Sequence, residues 1–256
     1  MDASITPAAL RQTLSSGQPP LVIDVRKTPA FLGARDMIRG ALRRDPQRVA
    51  DWAQSLPPAA SVVVYCVRGH EVSQGVAKAL GARYLEGGME HWDGERDRKP
   101  AGASTRWVTR ERPKIDRIAC PWLVKRFVDP DAEFLYVPAA DVRRIAAERD
   151  AEPYDIPDVR LSHEGEHCSF DAFLKAYRLA DPALDELAVI VRGADTGRLE
   201  LAPQAAGLAA ISLGLSRSFR DDHEMLEHGT VMYDALYAWC KEGKDEVHTW
   251  NPTAYR

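Results

Sequence analysis

Short apolar runs alternate with helical patterns in the N-terminal part of the chain. Residues 21–26 and 62–66 are continuous apolar and β-branched runs, which are typical of strands buried on both faces of a parallel sheet. Helical patterns occupy residues 6–15 and 46–55, and another follows at 74–80. This alternation predicts an α/β domain with an open, mostly parallel sheet and helices on both faces.

The pattern changes after a charged segment that contains proline and glycine. Residues 106–109 and 133–137 predict strands, and the helical pattern at 114–128 is expected to be interrupted by, or to start at, Pro121. Further helices are predicted at residues 170–177, 182–191, 204–219 and 221–241. The chain is thus predicted to comprise a first domain at 1–97, a linker at 98–105 and a helix-rich α+β domain at 106–256.

The composition fits an ordinary globular protein. The 256 residues are 45% hydrophobic and 28% charged, as in ordinary globular proteins. This length is sufficient for two domains. No apolar run approaches the roughly 20 residues that span a bilayer, and no signal-peptide pattern is evident, so we expect a cytoplasmic protein without a membrane partner. The four cysteines form no CxxC pair, which disfavours a disulfide framework and a closed zinc finger.

The charge pattern bears on possible partners. Residues 1–105 contain 14 Lys and Arg against 11 Asp and Glu, and this mildly basic balance suits a small anionic substrate. The whole chain has a net charge of −4 and lacks the dense basic stripe of a nucleic-acid-binding protein. A nucleic-acid partner is therefore not expected, and the oligomeric state is left open.

The first candidate site is the loop that follows the apolar run at residues 62–66. Cys66 ends the run, and the loop continues through Arg68, Gly69, His70, Glu71, Val72 and Ser73. Backbone N–H groups and the positive end of a helix dipole favour a thiolate at such a position. We therefore expect the pKa of Cys66 to lie below the ordinary value of about 8.5. The alternative is a buried cysteine that only ends a strand.

Five short motifs occur in order along the first domain. They are residues 23–26 (IDVR), 38–41 (IRGA), 64–69 (VYCVRG), 85–88 (LEGG) and 91–92 (HW). Together they resemble a rhodanese domain that covers about residues 5–95. The resemblance implies sulfane-sulfur transfer without a cofactor, in which Cys66 accepts sulfur as a persulfide and Arg68 helps to hold a thiosulfate-like donor. A thiol or cyanide would be the acceptor.

Three other positions are interpreted through the same resemblance. Asp24 and Arg26 match a pair that is structural and borders the site in rhodaneses. Glu71 and Val72 stand where rhodanese loops often have Arg, Ser or Thr. A carboxylate that points inward opposes a thiolate and a thiosulfate dianion, although we expect Glu71 to face solvent in the first turn of a helix. His70 is either a partner of the thiolate or an exposed loop residue.

The second candidate site combines imidazole and carboxylate groups. Two histidines lie close together in residues 163–168, and two more residues share one face of a predicted helix at i and i+4. Such groups are ligands for iron, manganese or zinc. The predicted metal ligands are His163, His167, His223, Glu227 and Asp195.

Two alternatives to a metal site are open at this stage. The acidic start of the helix at residue 221 is stabilised by the helix dipole without any ion, and its histidines are then merely exposed. A non-metal anion or substrate site is also compatible, with Arg110 and Arg117 as candidate anion-binding residues. A solvated basic segment explains these two arginines as well.

Motifs of the second domain resemble the chromate-resistance domain at the C-terminus of ChrB-type proteins. They are residues 107–123 (WVTRERPKIDRIACPWL), 129–132 (DPDA) with Phe134, 165–170 (GEHCSF) and 221–223 (DDH). The resemblance covers about residues 106–242 and implies a link to chromate or oxyanion stress, with chromate as a possible ligand. It implies no mechanism.

The sequence therefore predicts a rhodanese-type sulfurtransferase coupled to a metal- or oxyanion-binding domain associated with chromate resistance. The alternative is a non-catalytic anion or redox sensor of the chromate stress response. Glu71 and Val72 in the loop motivate that alternative, because they depart from the rhodanese pattern.

Overall fold

The computed structural model describes residues 3–57, 60–99 and 104–245. Of the predicted linker, residues 100–103 lie outside the described residues, as do the last eleven residues of the predicted second domain. Among the described residues, no helix is both long enough and apolar enough to cross a membrane.

The first domain is built on a parallel sheet of five strands. They are β1 (Ser4–Ile5), β2 (Leu21–Asp24), β4 (Leu42–Arg43), β5 (Val62–Tyr65) and β6 (Arg83–Leu85), in the spatial order β1-β6-β5-β2-β4. Between β2 and β4, β3 (Asp36–Ile38) leaves the sheet and pairs antiparallel with β7 (Arg96–Arg98). The helices are α1 (Pro7–Leu14), α2 (Thr28–Gly33), α3 (Val49–Trp52) and α4 (Glu71–Leu80).

Alternating side chains of the central strands bury two opposite faces of the sheet. Val22 and Val63 pack with Leu10 of α1 on one face, whereas Ile23 and Val64 pack on the other, in a cluster that includes α3 and α4 residues. Two-sided burial explains why these strands are continuous apolar runs rather than alternating ones. The predicted fold class of this domain is confirmed.

The second domain is helix-rich. A parallel sheet of three strands has the order β10 (Glu152–Pro153), β8 (Arg106–Arg110) and β9 (Glu133–Val137). Its helices are α5 (Asp116–Leu123), α6 (Val142–Arg149), α7 (Ser169–Tyr177), α8 (Pro182–Asp195), α9 (Ala205–Ser218) and α10 (Asp222–Ala238). The ring of Trp107 lies 5.3 Å from that of Phe173, which fixes the sheet against α7. This too confirms the predicted class.

Two predicted helices differ from the structure. The segment 46–55 is not one helix, because 3₁₀ turns flank the four residues of α3. Pro121 neither starts nor interrupts α5, which runs through it into a π turn at Val124–Val128. A proline in the second turn removes only one hydrogen bond, and here the side chain is buried in the core of the domain.

The two domains share one apolar core and several polar contacts. The cluster that covers the α4 face of the first sheet continues into the aromatic residues of the second domain. At the junction, the buried guanidinium of Arg44 donates to the carbonyl oxygens of Phe127 and Val128. Arg178 donates to the carbonyl of Arg39 at 2.8 Å. A cavity of about 520 Å³ lies beside this junction.

Candidate functional site

Cys66 lies at the carboxyl end of β5, directly before the loop that leads into α4. This is the edge at which open parallel sheets place their sites. The carbonyl oxygen of Cys66 accepts the N–H of Met89 at 2.9 Å, which holds the loop against the turn after β6. Gly88 permits this approach, since a Cβ there would lie 2.5 Å from the Cys66 carbonyl oxygen and its φ is +58°.

Hydrogen-bond donors surround the sulfur of Cys66. The Oγ of Ser73 lies 3.2 Å from Sγ, and the backbone N–H groups of Ser73, Arg68 and His70 also interact with it. Burial by itself raises the pKa of the thiol, but these hydrogen bonds outweigh it, so the pKa of Cys66 lies below its ordinary value. The site therefore favours an anion on this sulfur.

The mouth of the site is a cavity of about 380 Å³. Among its lining residues are Arg26, Lys27, Arg68, Glu71 and Val72. Arg68 is exposed, and its Nε donates to the carboxylate of Glu90 at 3.0 Å. Glu71 is exposed in the first turn of α4. The cavity thus combines cationic groups with one carboxylate at its rim.

Asp24 and Arg26 form a buried ion pair beneath the site. The guanidinium donates to both carboxylate oxygens, at 2.9–3.0 Å from Nε and 2.5 Å from Nη2. Tyr65 donates to Asp24 at 2.9 Å and accepts the N–H of Ile38 at 3.1 Å. The pair therefore ties three segments together, and Arg26 also borders the cavity.

His70 interacts with Cys66 through its backbone, while the side chain is exposed. Its carbonyl oxygen is a second acceptor 3.2 Å from the Ser73 hydroxyl, which donates either to this oxygen or to Sγ of Cys66. The role of His70 is thus one of backbone geometry rather than of an imidazole partner. Gly69 has φ +73° and faces the Leu85 carbonyl, which allows the loop to turn into α4.

The second domain brings His163 and Asp195 together, two of the five predicted metal ligands. The Nε2 of His163 lies 3.2 Å from Asp195 Oδ2 and 3.4 Å from Asp116 Oδ2. One donor atom from each of these three residues lies within 4.8 Å of the other two. Among the described residues, these are the three that form such a potential metal-binding group.

Asp155 completes the surroundings of this group. Its Oδ1 lies 3.4 Å from His163 Nε2 and accepts the Ser169 hydroxyl at 2.9 Å. Its Oδ2 accepts Arg110 Nη2 at 2.6 Å and lies 3.2 Å from Arg117 Nε. The two arginines proposed from the sequence as an anion site therefore bind a carboxylate of the protein itself.

The electrostatics of the group follow from burial and proximity. Burial, together with the charge of Asp116, raises the pKa of Asp195 to about 8. Contact with Asp116 raises the pKa of His163 to about 9, against the opposing effect of burial. Both shifts share one cause, which is the crowding of carboxylates around a single imidazole.

Three predicted metal ligands lie elsewhere. The segment that holds His163 and His167 is a tight turn, closed by reciprocal backbone hydrogen bonds of Glu164 and His167. The His167 ring approaches Asp171 at 3.7 Å. His223 packs its ring 5.5 Å from that of Tyr136, and neither it nor Glu227 belongs to a potential metal-binding group among the described residues. His163 and His167 are thus close in the sequence but do not belong to one potential metal-binding group.

Sequence reasoning missed Asp116 and Asp155. Asp116 begins α5 directly after Ile115, whose φ of +42° turns the chain into the helix. Asp155 follows the short strand β10 and also has a positive φ, +53°. In the sequence, Asp116 is marked only by its place inside the motif at residues 107–123. Its approach to His163 depends on the fold.

Comparisons with known proteins assign both parts of the chain to families. The ChrB C-terminal domain model matches residues 107–240, and the rhodanese-like domain model matches residues 6–95. Protein ChrB of Cupriavidus metallidurans is 33% identical over 132 residues, which are 51% of this chain and 39% of that protein. The chain thus spans about two fifths of the length of this relative.

Solved structures resemble the first domain. A rhodanese-like domain protein from Staphylococcus aureus is 26% identical, and the match covers 36% of this chain and 92% of the other, with a TM-score of 0.31. A protein from Lactobacillus plantarum is 28% identical over 36% of this chain and 82% of the other, also with a TM-score of 0.31.

Both family resemblances read from the motifs are therefore confirmed. The chain belongs to the family that carries the ChrB C-terminal domain, and here that domain follows a rhodanese-like one.

Proposed function

We propose that the first domain is a sulfurtransferase that carries sulfane sulfur as a persulfide on Cys66. The supporting observation is the set of donors around Sγ, in which the Ser73 hydroxyl and three backbone N–H groups lower the pKa of the thiol. The same donors suit the anionic outer sulfur of a persulfide, which carries its charge one bond further into the cavity.

A thiosulfate-like donor can supply the sulfur without an additional oxidant or reductant. The Cys66 thiolate attacks the outer sulfur of thiosulfate, a sulfur–sulfur bond forms to Sγ, and the bond to the sulfonate sulfur breaks. Sulfite leaves with the electron pair, and the enzyme holds an anionic persulfide. A thiol or cyanide acceptor then attacks the outer sulfur and returns Cys66 as the thiolate. No cofactor takes part in these steps.

Glu71 determines how well this site uses a dianion. Its carboxylate lies at the rim of the cavity, where it repels thiosulfate. Solvent and salt reach this position and screen part of the repulsion. Monoanionic donors are repelled less. We therefore propose that the physiological donor carries less negative charge than thiosulfate.

The family relationship supports a biological setting. ChrB-type proteins are associated with chromate resistance, and we propose that sulfur transfer by this chain serves that resistance. The second candidate function, a non-catalytic sensor of anions or redox state, is favoured by Glu71 and Val72, because they depart from the loop pattern of rhodaneses.

A thiocyanate assay with thiosulfate and cyanide separates the two functions. Wild-type protein is expected to turn over, and Cys66→Ser to fall to the background rate. Cys240→Ser is the matched control, because both cysteines are 6% exposed and Cys240 lies outside the loop. Background rates in wild type with thiosulfate and with a monoanionic thiosulfonate would favour the sensor.

A further inference from the structure

The second domain contains a group of potential ligands from three distant segments. Asp116 begins α5, Asp195 ends α8, and His163 lies in the turn segment between β10 and α7. Asp116 is almost fully buried, whereas 42% of the His163 side chain is exposed. The group therefore has a buried floor and one side open to solvent, through which an ion can enter.

The distances fit coordination better than hydrogen bonding. Nε2 of His163 lies 3.2 Å from an oxygen of Asp195 and 3.4 Å from one of Asp116, whereas one N–H can point at one acceptor and prefers about 2.9 Å. Donor atoms that share an ion through bonds of about 2.1 Å lie about 3.0 Å apart in an octahedron and about 3.4 Å apart in a tetrahedron. Similar distances from the His163 nitrogen to these carboxylate oxygens are expected when the atoms share one ion.

The negative charges of Asp116 and Asp195 can be balanced by two positive charges. Arg110 and Arg117 both bind Oδ2 of Asp155. Within the described ranges, no arginine forms an ion pair with Asp116 or Asp195, and His163 is the potential cation that approaches both. Carboxylates buried together repel one another strongly unless a proton or a cation separates them. A divalent cation neutralises this pair and leaves His163 as a neutral ligand.

The surrounding residues hold the ligands in place, as outer contacts do in metal sites. The N–H of Ser169 donates to Asp116 Oδ2 at 3.3 Å, and its hydroxyl donates to Asp155 Oδ1 at 2.9 Å. The start of α7 thus fixes both carboxylates at once. Asp155, held by two arginines, is placed to accept a hydrogen bond from a water on the ion.

The ligand set selects a class of cation. One imidazole disfavours Mg²⁺ and Ca²⁺, which prefer oxygen ligands alone, and carboxylates without a thiolate disfavour Cu⁺. No cysteine belongs to the group among the described residues. We propose that Asp116, His163 and Asp195 bind one divalent first-row cation of the Mn²⁺ or Fe²⁺ class, with the remaining positions open to water or a small anion. This site is independent of the sulfur chemistry at Cys66.

The test uses the full chain, freed of metal by a chelator and titrated with Mn²⁺ alone. Electron paramagnetic resonance counts the bound ion, and spin-echo modulation detects a directly bound nitrogen. Wild type is expected to bind one Mn²⁺ with one nitrogen ligand. His163→Ala and Asp195→Asn are expected to weaken binding at least ~10-fold.

His167→Ala is the matched control, since this exposed histidine lies in the same turn and outside the group; it is expected to bind Mn²⁺ as wild type does. His163 is partly exposed, so its replacement is compatible with folding. Wild type that binds no Mn²⁺, or binds it without a nitrogen ligand, overturns the proposal. So does an equal loss of affinity in His167→Ala and His163→Ala.

Discussion

Cys66 and Cys240 are equally buried, each with 6% of its surface exposed, but their chemistry differs. Burial, and next the nearby charge of Glu186, raises the pKa of Cys240 to about 11. At Cys66 the opposite result, a lowered pKa, depends on hydrogen bonds to its sulfur, whereas no such bond affects the pKa of Cys240 in the part of the chain that the structure describes. The donors around the sulfur, rather than its exposure, therefore determine its reactivity.

Ser73→Ala is expected to raise the pKa of Cys66, because it removes a side-chain hydrogen bond that stabilises the thiolate. The pKa of Cys66 in the wild type lies below the ordinary value of a cysteine, so alkylation by iodoacetamide rises with pH through a correspondingly low midpoint. The variant's midpoint moves to higher pH. Ser55→Ala is the control, because the Ser55 hydroxyl donates to the Trp52 carbonyl instead. An unchanged midpoint in Ser73→Ala would contradict the role of its hydroxyl.

Some residues of the two sites could be predicted from the sequence and others could not. Cys66 and Ser73 could be placed from the strand, loop and helix pattern, because local geometry brings them together. Asp116 and Asp155 could not, since their approach to His163 depends on the packing of α5, β10 and α7. Contacts between distant segments leave little trace in the spacing of residues along the chain.

At the scale of elements, α4 sets the electrostatics of the Cys66 site. The helix begins at Glu71, which lies in the first turn as expected, so the positive end of its dipole lies at the loop. A carboxylate in this first turn stabilises the helix but weakens the attraction for anions. Stability and donor affinity therefore oppose each other at this position.

Glu71→Gln is expected to raise kcat/KM for thiosulfate by up to about fivefold, as exposed charge pairs contribute up to about 1 kcal/mol. The gain should be smaller for a monoanionic thiosulfonate and should shrink as salt is added. Glu86→Gln, an exposed carboxylate that accepts the Ser4 hydroxyl, is the control. Equal gains for both donors at all salt concentrations would count against the repulsion.

The turn after β6 is the second element on which the loop depends. Gly88→Ala is expected to lower the free energy of unfolding by about 1–3 kcal/mol, since it needs a positive φ and its Cβ meets the Cys66 carbonyl. Gly75→Ala, inside α4 with open space around it, should instead be neutral or add up to about 1 kcal/mol. Urea unfolding measures both, and equal effects would contradict the geometric reason.

At the scale of the whole molecule, the apolar core passes from one domain into the other. The fold class of each domain could be predicted because periodicity and turn residues act locally. The shared core could not, since the same buried side chains fit two separate domains or two joined ones. Burial lowers the pKa of Arg44 to about 10, a sign of how completely the junction excludes water.

Arg44→Ala is expected to lower the free energy of unfolding by about 2–4 kcal/mol, because two buried carbonyl oxygens of the second domain lose their donor. Arg48→Ala, which removes an exposed ion pair with Asp51, should leave it nearly unchanged, because solvent screens such a pair. Denaturant unfolding followed by tryptophan fluorescence compares them. Similar losses in both variants would show that the junction does not contribute as described.

The central claim is that Cys66 carries sulfane sulfur, and the mass of the intact protein after exposure to a donor tests it most directly. Wild type treated with a thiosulfonate or thiosulfate is expected to gain the mass of one sulfur atom. Peptide mapping should place that sulfur on Cys66, and cyanide should remove it. Cys240→Ser should behave as wild type. An unmodified Cys66, or the same gain in Cys66→Ser, would contradict the assignment.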